Sequence, residues 1–217
     1  MTKRSQKEVF LQSEGDAWYA RNQEYLRGSG PDIVLTTLQE IGISPKSVLE
    51  IGCANGYRIA GICEQFGARG FGIEPSSNAV ADGRSRYPAL SLDVGTADRL
   101  PFADGQFDLV IFGFCLYLVD PRLHLRCVAE ADRVLADHGF LVIYDFIEPV
   151  PYHNRYAHLE GVCSYKMEFS RYFLASPAYR LLRRNMIGPG APKPDDSVGV
   201  DFLSKNLTAA FPPNPFA

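Results

Sequence analysis

The sequence lacks a large surplus of charge of either sign. Its 22 Lys and Arg residues are balanced by 25 Asp and Glu residues, which gives a formal net charge of −3. This balance argues against a general affinity for nucleic acid phosphates, so we expect no nucleic-acid partner. The sequence also lacks an apolar run long enough to cross a bilayer as a helix, because the longest run, over 109–119, suits a buried strand that continues into a loop. We therefore expect no membrane insertion.

The sequence also lacks cysteines at the spacings that are typical of disulfide frameworks and metal sites. The five cysteines form no Cys-x-x-Cys pair and no histidine stands at zinc-finger spacing, so we expect neither a disulfide framework nor a structural metal. A chain of 217 residues can bury a sufficient core without such links. Residues 2–8 are polar or charged, and no apolar run typical of a signal peptide follows them. These features predict a single-domain cytoplasmic protein with reduced thiols and a small-molecule partner.

The chemistry of the sequence is concentrated at one strand-to-helix turn, Val48-Leu49-Glu50-Ile51-Gly52-Cys53-Ala54-Asn55-Gly56. A short buried strand runs into an acid and then into small residues, and a helix is predicted to begin near Tyr57. Because Gly52 and Gly56 have no side chains, backbone N–H groups there can approach a ligand closely. The N-terminus of the following helix favours an anionic group. The turn can therefore admit a nucleotide, although an ordinary strand-to-helix loop has the same composition.

Predicted strands and helices alternate along the middle of the chain. The strands are expected over 46–51, 69–73, 90–94, 107–113 and 139–145, and the helices over 57–66, 76–86 and 121–136. This alternation implies a parallel sheet with helices on both faces, and right-handed crossovers bring the loops after the strands to one ligand-binding edge. Residues 165–184 are expected to be helical or mixed. Residues 198–203 are expected to form a last strand, antiparallel and at the sheet edge.

Two polar positions follow strands at the predicted ligand-binding edge. Glu74 ends the second strand, 18 residues after Gly56, where a carboxylate can accept hydrogen bonds from both hydroxyls of a ribose. The same acid could instead favour the N-terminus of the next helix, but the nearby glycine turn favours the ribose role. After the third strand, Thr96 or Asp98 could meet the exocyclic amine of a flat heterocycle. A polar, aromatic loop over 148–156 leaves the same edge after the fifth strand.

The N-terminal residues combine large rings with hydrogen-bond donors. Two short helices are predicted over 7–26, interrupted at Gly15, and a further helix is predicted from Pro31 to Glu40. The first segment holds the only tryptophan of the chain. Such a segment can close over a ligand as a lid or simply pack onto the main domain, and composition alone does not separate these alternatives.

Two other nucleotide-binding turns fit the residues less well. A Gly-x-Gly-x-x-Gly dinucleotide motif aligned on Gly52 would place Ala54 and Tyr57 at its second and third glycines. A tyrosine is too bulky for the close packing of helix and strand that the third glycine permits. No Gly-Lys-Ser or Gly-Lys-Thr follows the turn, which disfavours an ATPase-type loop. An NAD-dependent oxidoreductase or epimerase stays as the alternative, as does a non-catalytic cofactor-binding protein.

Several segments together resemble the class I S-adenosylmethionine-dependent methyltransferases. The stretch Glu50-Ile51-Gly52-Cys53-Ala54-Asn55-Gly56 resembles motif I of that family, acid-x-Gly-x-Gly-x-Gly, with Ala54 in place of the middle glycine. Glu74 matches the ribose-binding acid, Thr96-Ala97-Asp98 with Leu100-Pro101-Phe102 matches the adenine-side segment, and Phe107-Asp108-Leu109-Val110 matches the fourth strand. Many members carry an aspartate where Thr96 stands. The resemblance covers residues 46–146.

The N-terminal segment adds to this resemblance. Residues 13–22 are similar to the opening of bacterial small-molecule methyltransferases of the type 11-like group, including some that act on sugars or natural products. This similarity favours the lid over simple packing. By the same resemblance, Trp18 and Tyr19 would shelter the cofactor, and Arg21 or Asn22 could reach its methionine carboxylate or the acceptor.

The resemblance implies one Rossmann-like, doubly wound α/β domain over 1–217. Its mostly parallel seven-stranded sheet would have an antiparallel last strand, and an N-terminal helical lid over 1–40 would cover it. Residues 46–146 would form the cofactor-binding core, and 147–217 the substrate-side loop, helix and last strands. The implied reaction moves a methyl group from S-adenosylmethionine to a small-molecule acceptor, such as a sugar or a natural-product intermediate, and leaves S-adenosylhomocysteine.

The expected cofactor contacts lie in the lid, in the motif I turn and at the ends of the next three strands. They are Trp18, Tyr19, Arg21, Asn22, Glu50, Gly52, Cys53, Ala54, Gly56, Glu74, Pro75, Thr96, Ala97, Asp98 and Phe112. If the acceptor is a hydroxyl or an acidic carbon, a general base is needed, and a histidine suits neutral pH. His153 is the first candidate because its loop follows the fifth strand, and Tyr152 and Asp145 come after it. A merely exposed loop histidine is the alternative for His153.

Overall fold

A computed structural model describes residues 5–24, 26, 32–187 and 197–214. Its strands are β1 (Ser47–Ile51), β2 (Arg69–Glu74), β3 (Ser91–Val94), β4 (Phe107–Gly113), β5 (Leu135–Phe146), β6 (Tyr152–Arg155), β7 (Cys163–Lys166), β8 (Tyr179–Ile187) and β9 (Val198–Lys205). Its α-helices are α1 (Gln6–Val9), α2 (Gly15–Asn22), α3 (Ile33–Glu40), α4 (Tyr57–Phe66), α5 (Ser77–Arg86), α6 (Pro121–Val134), α7 (Arg171–Leu174) and α8 (Leu207–Ala210).

The main sheet has seven strands in the order β3-β2-β1-β4-β5-β9-β8. The first five pair in parallel, while β9 runs antiparallel to both of its neighbours. The predicted seven-stranded, mostly parallel sheet with one antiparallel strand is therefore confirmed. The predicted position of that strand at the edge is wrong, because β9 lies between β5 and β8. Its apolar residues are almost all buried, as an inner strand requires.

Both faces of the sheet carry a buried apolar core. Val110 and Phe112 of β4 face one layer, which contains α6 and α7, whereas Leu109 and Ile111 face the other, which contains α3 and α4. Successive side chains of a strand point to opposite faces, so the unbroken apolar run of β4 serves both layers. The doubly wound architecture follows from these two layers.

The helices begin where the sequence supplies capping side chains. Asp32, Ser76 and Asp120 accept hydrogen bonds from backbone N–H groups of the first turns of α3, α5 and α6. Pro31, the predicted start of α3, lies outside the described residues. Instead of two helices interrupted at Gly15, α1 and α2 are joined by a π-helical turn over Phe10–Glu14. The N-terminal helical segment is thus continuous over 6–22.

Two predictions for the C-terminal third were wrong in detail. Residues 179–187 form the edge strand β8 rather than a helix, because they pair with β9 along its whole length. Of the basic side chains on β8, Arg184 pairs with Glu168 and Asp201, and Arg183 pairs with Glu40. The predicted loop over 148–156 ends in β6, which pairs antiparallel with β7 as a separate hairpin. In the described part of the chain, no helix is long and apolar enough to cross a membrane.

Candidate functional site

Two adjoining cavities open at the carboxyl edge of the parallel strands. The first, of about 830 Å³ including its mouth, lies over the ends of β1, β2 and β4 and is covered by the N-terminal helices. The second, of about 1000 Å³ including its mouth, lies between the turn after β1, the N-terminus of α4 and the chain that follows β6. Trp18, Gly52, Gly113 and Phe114 line both cavities. A ligand could therefore extend from one cavity into the other.

Glu74 is a buried carboxylate in the first cavity. Its two oxygens accept hydrogen bonds from the backbone N–H groups of Ala54 and Ser76, each at 3.0 Å. Burial raises the pKa of Glu74 to about 7, although the two N–H groups act in the opposite direction. Each oxygen keeps a second lone pair, so Glu74 can still accept hydrogen bonds from neighbouring hydroxyls.

A polar cluster closes the other end of the first cavity. Asp98 accepts a hydrogen bond from the Thr96 hydroxyl at 2.8 Å and pairs with the ammonium of Lys7, from α1, at 2.7 Å. Burial acts to raise the pKa of Asp98, but the hydrogen bonds from Lys7 and Thr96 outweigh it and hold the pKa below its usual value. Leu123 and Cys127 of α6 line the space nearby. This end of the cavity therefore combines an apolar wall with a fixed carboxylate.

The turn after β1 has the backbone of a glycine-rich loop. Gly52 and Gly56 have φ angles of +74° and +80°, and Ala54 adopts φ +49°. An L-residue in this left-handed region costs about 1 kcal/mol, so Ala54 keeps the conformation that glycine would adopt there more easily. A Cβ at Gly52 would also lie 2.6 Å from the Cβ of Cys115. The turn consequently needs a glycine at position 52 but accepts the alanine at position 54.

Glu50 forms a buried ion pair next to this turn. One of its oxygens pairs with Arg58 Nη1, and Arg58 Nε pairs with Asp32 at 2.8 Å. The other oxygen, Oε2, is buried and has no hydrogen-bond partner among the described residues. Burial raises the pKa of Glu50, and the charge of Arg58 offsets part of that effect. Glu50 lines the second cavity, so a buried acceptor without a described partner lies beside that space.

The N-terminal helices are fastened to the core at several points. Gln6 donates to the carbonyl oxygens of Leu118 and Cys163 at 2.6 and 2.8 Å. Asp16 accepts from the Ser76 hydroxyl at 2.6 Å and from Asn78 N–H at 3.0 Å. A Cβ at Gly15 would lie 2.7 Å from the carbonyl oxygen of Phe10 and 3.1 Å from the amide nitrogen of Ser76, so α2 can approach the turn after β2 only with glycine there.

Comparison with known proteins finds a family that matches the middle of the chain. Residues 49–143 match the family model described as a methyltransferase domain. Demethylmenaquinone methyltransferase of Beutenbergia cavernae is 35% identical over 114 residues, 52% of this chain and 46% of that protein. The probable chloroplastic tocopherol O-methyltransferase of Oryza sativa subsp. japonica is 39% identical over 109 residues, 46% of this chain and 28% of that protein. The chain spans about half the length, or less, of these curated relatives.

A solved structure agrees over most of the fold. The 1,6-didemethyltoxoflavin-N1-methyltransferase of Burkholderia thailandensis, solved with 1,6-didemethyltoxoflavin and S-adenosylhomocysteine, has a TM-score of 0.71 and 16% identity. The match covers 92% of this chain and 88% of that one. Over residues 49–143 this chain matches a methyltransferase domain, and together the matches support the class I S-adenosylmethionine-dependent methyltransferases. The resemblance that motif I indicated is thereby confirmed, together with its Rossmann-like fold.

The fold brings most of the expected cofactor contacts to the two cavities. Those that line the first are Trp18, Gly52, Glu74, Pro75, Thr96, Ala97 and Asp98. Those that line the second are Trp18, Asn22, Glu50, Gly52, Cys53 and Ala54. Four expected contacts line neither of these cavities: Tyr19, Arg21, Gly56 and Phe112.

These four residues have other contacts in the structure. Tyr19 donates to Asp82 at 2.6 Å and so fastens α2 to α5. Arg21 pairs with Glu14 and donates to the Tyr156 hydroxyl at 3.1 Å. Gly56 caps α4 beside the side chain of Leu92, and the ring of Phe112 packs against Phe173 in the core. Of the two lid side chains expected to shelter the cofactor, only Trp18 therefore reaches the cavities.

The three expected candidates for a general base lie outside both cavities. Both oxygens of Asp145 accept backbone N–H groups, from Leu116 at 2.8 Å and from Phe146 at 2.8 Å, so this side chain fixes the loop after β4. Burial raises its pKa to about 7, against the effect of these N–H groups. His153 is exposed on β6, with its ring 6.0 Å from that of Tyr165. The histidine that lines the second cavity is His158.

Other residues that line the two cavities were not among the expected cofactor contacts. They are Lys7, Phe10, Gly15, Tyr57, Arg58, Gly113, Phe114, Cys115, Tyr117, Leu118, Val119, Asp120, Leu123, Cys127, Tyr144, Tyr156 and His158, together with Leu26, Ile51, Ile73 and Gly95. A sequence signal existed for Arg58, which lies four residues before the buried Ile62 and therefore on the inner face of α4. The sequence carries no such signal for Lys7 or His158, whose positions depend on how separate segments dock. Among the described residues, no group of His, Cys, Asp and Glu side chains could hold a metal ion.

Proposed function

We propose that the protein transfers a methyl group from S-adenosylmethionine to a small-molecule acceptor. The observation that carries this proposal is Glu74, a buried carboxylate at the end of β2 that faces a cavity and keeps lone pairs for a ribose. The family match supports it, as does the structural neighbour solved with S-adenosylhomocysteine. The proposal includes residues 1–40 as the lid, 46–146 as the cofactor-binding core and 147–217 as the acceptor side.

The residues present fit each part of the cofactor. Asp98 and the apolar wall from α6 suit the adenine, and Glu74 suits the ribose hydroxyls. The unpartnered Oε2 of Glu50 would accept the ammonium of the methionine part, which would thus lie against the turn at Gly52. Asn22, from α2, lines the same space. The cofactor would thus extend from the first cavity into the second.

The protein's contribution to the reaction is positioning and exclusion of water. The cofactor, when bound, supplies a methyl group on a positively charged sulfur that departs as a neutral thioether. Trp18 and Phe114 lie where the two cavities meet and can surround the reacting atoms with aromatic surface, which attracts a cation. The covering α1 and α2 keep water away, so that an acceptor held in line with the sulfur reacts efficiently.

His158 is the residue we propose for removing a proton from the acceptor. It lines the second cavity, its ring lies 5.3 Å from that of Tyr156, and its exposure allows it to pass a proton to solvent. His153, on the same hairpin, has no access to either cavity described above. We therefore propose His158, rather than His153, as the base.

The proposed function is tested first by ligand binding. Because Trp18 is the only tryptophan and lines both cavities, its fluorescence should change when S-adenosylhomocysteine binds. We expect saturable binding of S-adenosylmethionine and S-adenosylhomocysteine by calorimetry and by this fluorescence, and no binding of NAD at the same concentration. Binding of NAD alone would overturn the proposal in favour of an oxidoreductase.

Replacing Gly15 with alanine should weaken cofactor binding about tenfold. The added Cβ would overlap the backbone at Phe10 and Ser76, which cannot move aside as a side chain can, so α2 would lift from the turn after β2. Titration with S-adenosylhomocysteine measures the effect. Gly61→Ala is the matched control, since its Cβ would meet only Leu35 at 3.7 Å, and it should raise stability by about 0.5–1 kcal/mol. Equal affinity in Gly15→Ala and the wild-type protein would show that the lid position does not matter for binding.

Replacing His158 with alanine should lower kcat about 100-fold for a hydroxyl acceptor. General bases contribute about 10²–10⁴-fold, and the loss should fade when the assay pH exceeds the pKa of the acceptor itself. Methyl transfer is followed as release of S-adenosylhomocysteine across a pH series. His153→Ala, the matched control on the same hairpin, should leave kcat unchanged. If His153→Ala is the more damaging change, the assignment of the base is reversed.

A further inference from the structure

The walls of the second cavity are unusually rich in aromatic rings. The rings come from five different segments, and they are those of Trp18, Tyr57, Phe114, Tyr117, Tyr144 and Tyr156. Several are fixed by one another: the Phe114 ring lies 4.9 Å from that of Tyr117 and 5.2 Å from that of Tyr144. Phe114 also adopts φ +57°, a conformation that a phenylalanine rarely takes and that the surrounding structure must enforce. The ring positions are therefore set before any acceptor arrives.

The guanidinium of Arg58, which lines this cavity, is already paired with carboxylates of the protein. Arg58 is the only Lys or Arg among the described lining residues, and its side chain is 6% exposed. Each of its nitrogens has a protein acceptor: Nε pairs with Asp32, Nη1 with Glu50, and Nη2 donates to the Tyr57 hydroxyl at 3.1 Å. Its guanidinium also lies over the ring of Tyr144, 5.1 Å from the centroid. Among the described lining residues, an anionic acceptor would thus meet no Lys or Arg side chain that lacks a protein partner, and it would face the carboxylate of Glu50.

We propose that the acceptor is an uncharged, planar aromatic molecule that carries the nucleophilic hydroxyl or ring nitrogen itself. Offset or edge-to-face contacts between aromatic rings add about 0.5–1.5 kcal/mol each to the burial of apolar area. Phosphorylated and carboxylated acceptors are disfavoured, because their charge would be buried without a partner. A sugar would also need several fixed polar partners, and Asn22, the cavity's side-chain amide, already donates to the Trp18 carbonyl oxygen. This inference rests on the proposed methyl transfer.

The step balances for a phenolic acceptor. The acceptor O–H gives its proton to the imidazole of His158, and an oxygen lone pair forms the new bond to the methyl carbon. The electron pair of the broken carbon–sulfur bond stays on sulfur, which becomes a neutral thioether. The imidazolium then releases its proton to water, since His158 is exposed. No oxidant, reductant or metal is consumed.

Binding to the protein loaded with S-adenosylhomocysteine tests this inference directly. The probes are 2-naphthol, its carboxylated counterpart 6-hydroxy-2-naphthoate, and methyl glucoside, each titrated by calorimetry or saturation-transfer NMR. We expect 2-naphthol to bind at least tenfold more tightly than the naphthoate, and methyl glucoside not to bind. Equal or tighter binding of the naphthoate or of the glucoside, or no binding of 2-naphthol, would overturn the inference.

Variants link the binding to the aromatic walls. Tyr144→Leu and, independently, Tyr156→Leu should weaken 2-naphthol binding at least tenfold while S-adenosylhomocysteine still binds. Tyr87→Leu, a half-buried tyrosine outside both cavities, should change neither affinity. Unchanged 2-naphthol binding in both folded variants would contradict the assignment of the acceptor wall. If wild-type protein fails to bind S-adenosylhomocysteine at all, the proposed function itself fails, and the two failures are thus distinguishable.

Discussion

Replacing Glu74 with alanine is expected to weaken S-adenosylhomocysteine binding by at least 100-fold. The Glu74 carboxylate is held in place by the N–H groups of Ala54 and Ser76, so it would meet a ribose without reorganising. Hydrogen bonds to a charged group are worth about 1.5–3 kcal/mol each, and two ribose hydroxyls would lose theirs together. Calorimetry measures the loss, and thermal unfolding checks that the variant is folded.

The control for Glu74→Ala is a substitution of an acid on the neighbouring strand β3. Asp93→Asn changes an exposed carboxylate of β3 that pairs with Arg84 outside both cavities, and it should leave the affinity unchanged. A second variant, Glu74→Gln, keeps the shape of the side chain and one acceptor oxygen. If Glu74→Ala folds and binds with wild-type affinity, then Glu74 does not hold the ribose, and the observation that carries the proposed function is lost.

The same carboxylate should make cofactor binding depend on pH. In the protein without ligand the pKa of Glu74 is raised to about 7 by burial, so the group is largely protonated at pH 6. Ribose hydroxyls donate to the ionised form, and binding must then release the proton. The apparent Kd should therefore rise as pH falls below 7, by up to about tenfold per pH unit. Glu74→Gln should show a flat profile between pH 8 and 5.5, and an equal slope in both proteins would assign the titration to another group.

The residues that sequence alone could place are those whose position follows from strand order. Glu50, Gly52 and Glu74 lie at the ends of β1 and β2, and parallel strands joined by right-handed crossovers bring such ends to one edge. Asp98 follows β3 by the same logic. The fold could be predicted from the same pattern, because alternating strands and helices admit few other arrangements.

The residues that sequence could not place depend on docking between distant segments. Lys7 reaches Asp98 only because Gln6 fastens α1 to the core, and no local sequence pattern predicts that contact. His158 and His153 lie five residues apart on one hairpin, and only the pairing of β6 with β7 decides which of them meets the cavity. The edge strand β8 lies in a segment that was predicted to be helical or mixed, because its pairing with β9, later in the chain, is not visible in its own residues.

Replacing Arg58 with methionine is expected to destabilise the protein by about 3–5 kcal/mol. The substitution would leave the carboxylate of Glu50, which is 1% exposed, buried without its partner, and removing one member of a buried pair costs this much. Against a typical total stability of about 5–15 kcal/mol, that is a large fraction. Urea unfolding measures it. Arg183→Met is the matched control, because its pair with Glu40 is exposed on both sides and should contribute less than about 1 kcal/mol.

The double variant separates the two roles of Glu50. In Arg58→Met with Glu50→Gln no buried charge is left unpaired at this pair, so most of the lost stability should return. Cofactor affinity should not return, because Oε2 of Glu50 could no longer offer a charged acceptor to the ammonium of the methionine part. Recovery of both would make Glu50 a purely structural partner of Arg58. Recovery of neither would mean that the stacking of Arg58 on Tyr144, rather than its charge, stabilises the helix N-terminus beside the cavity.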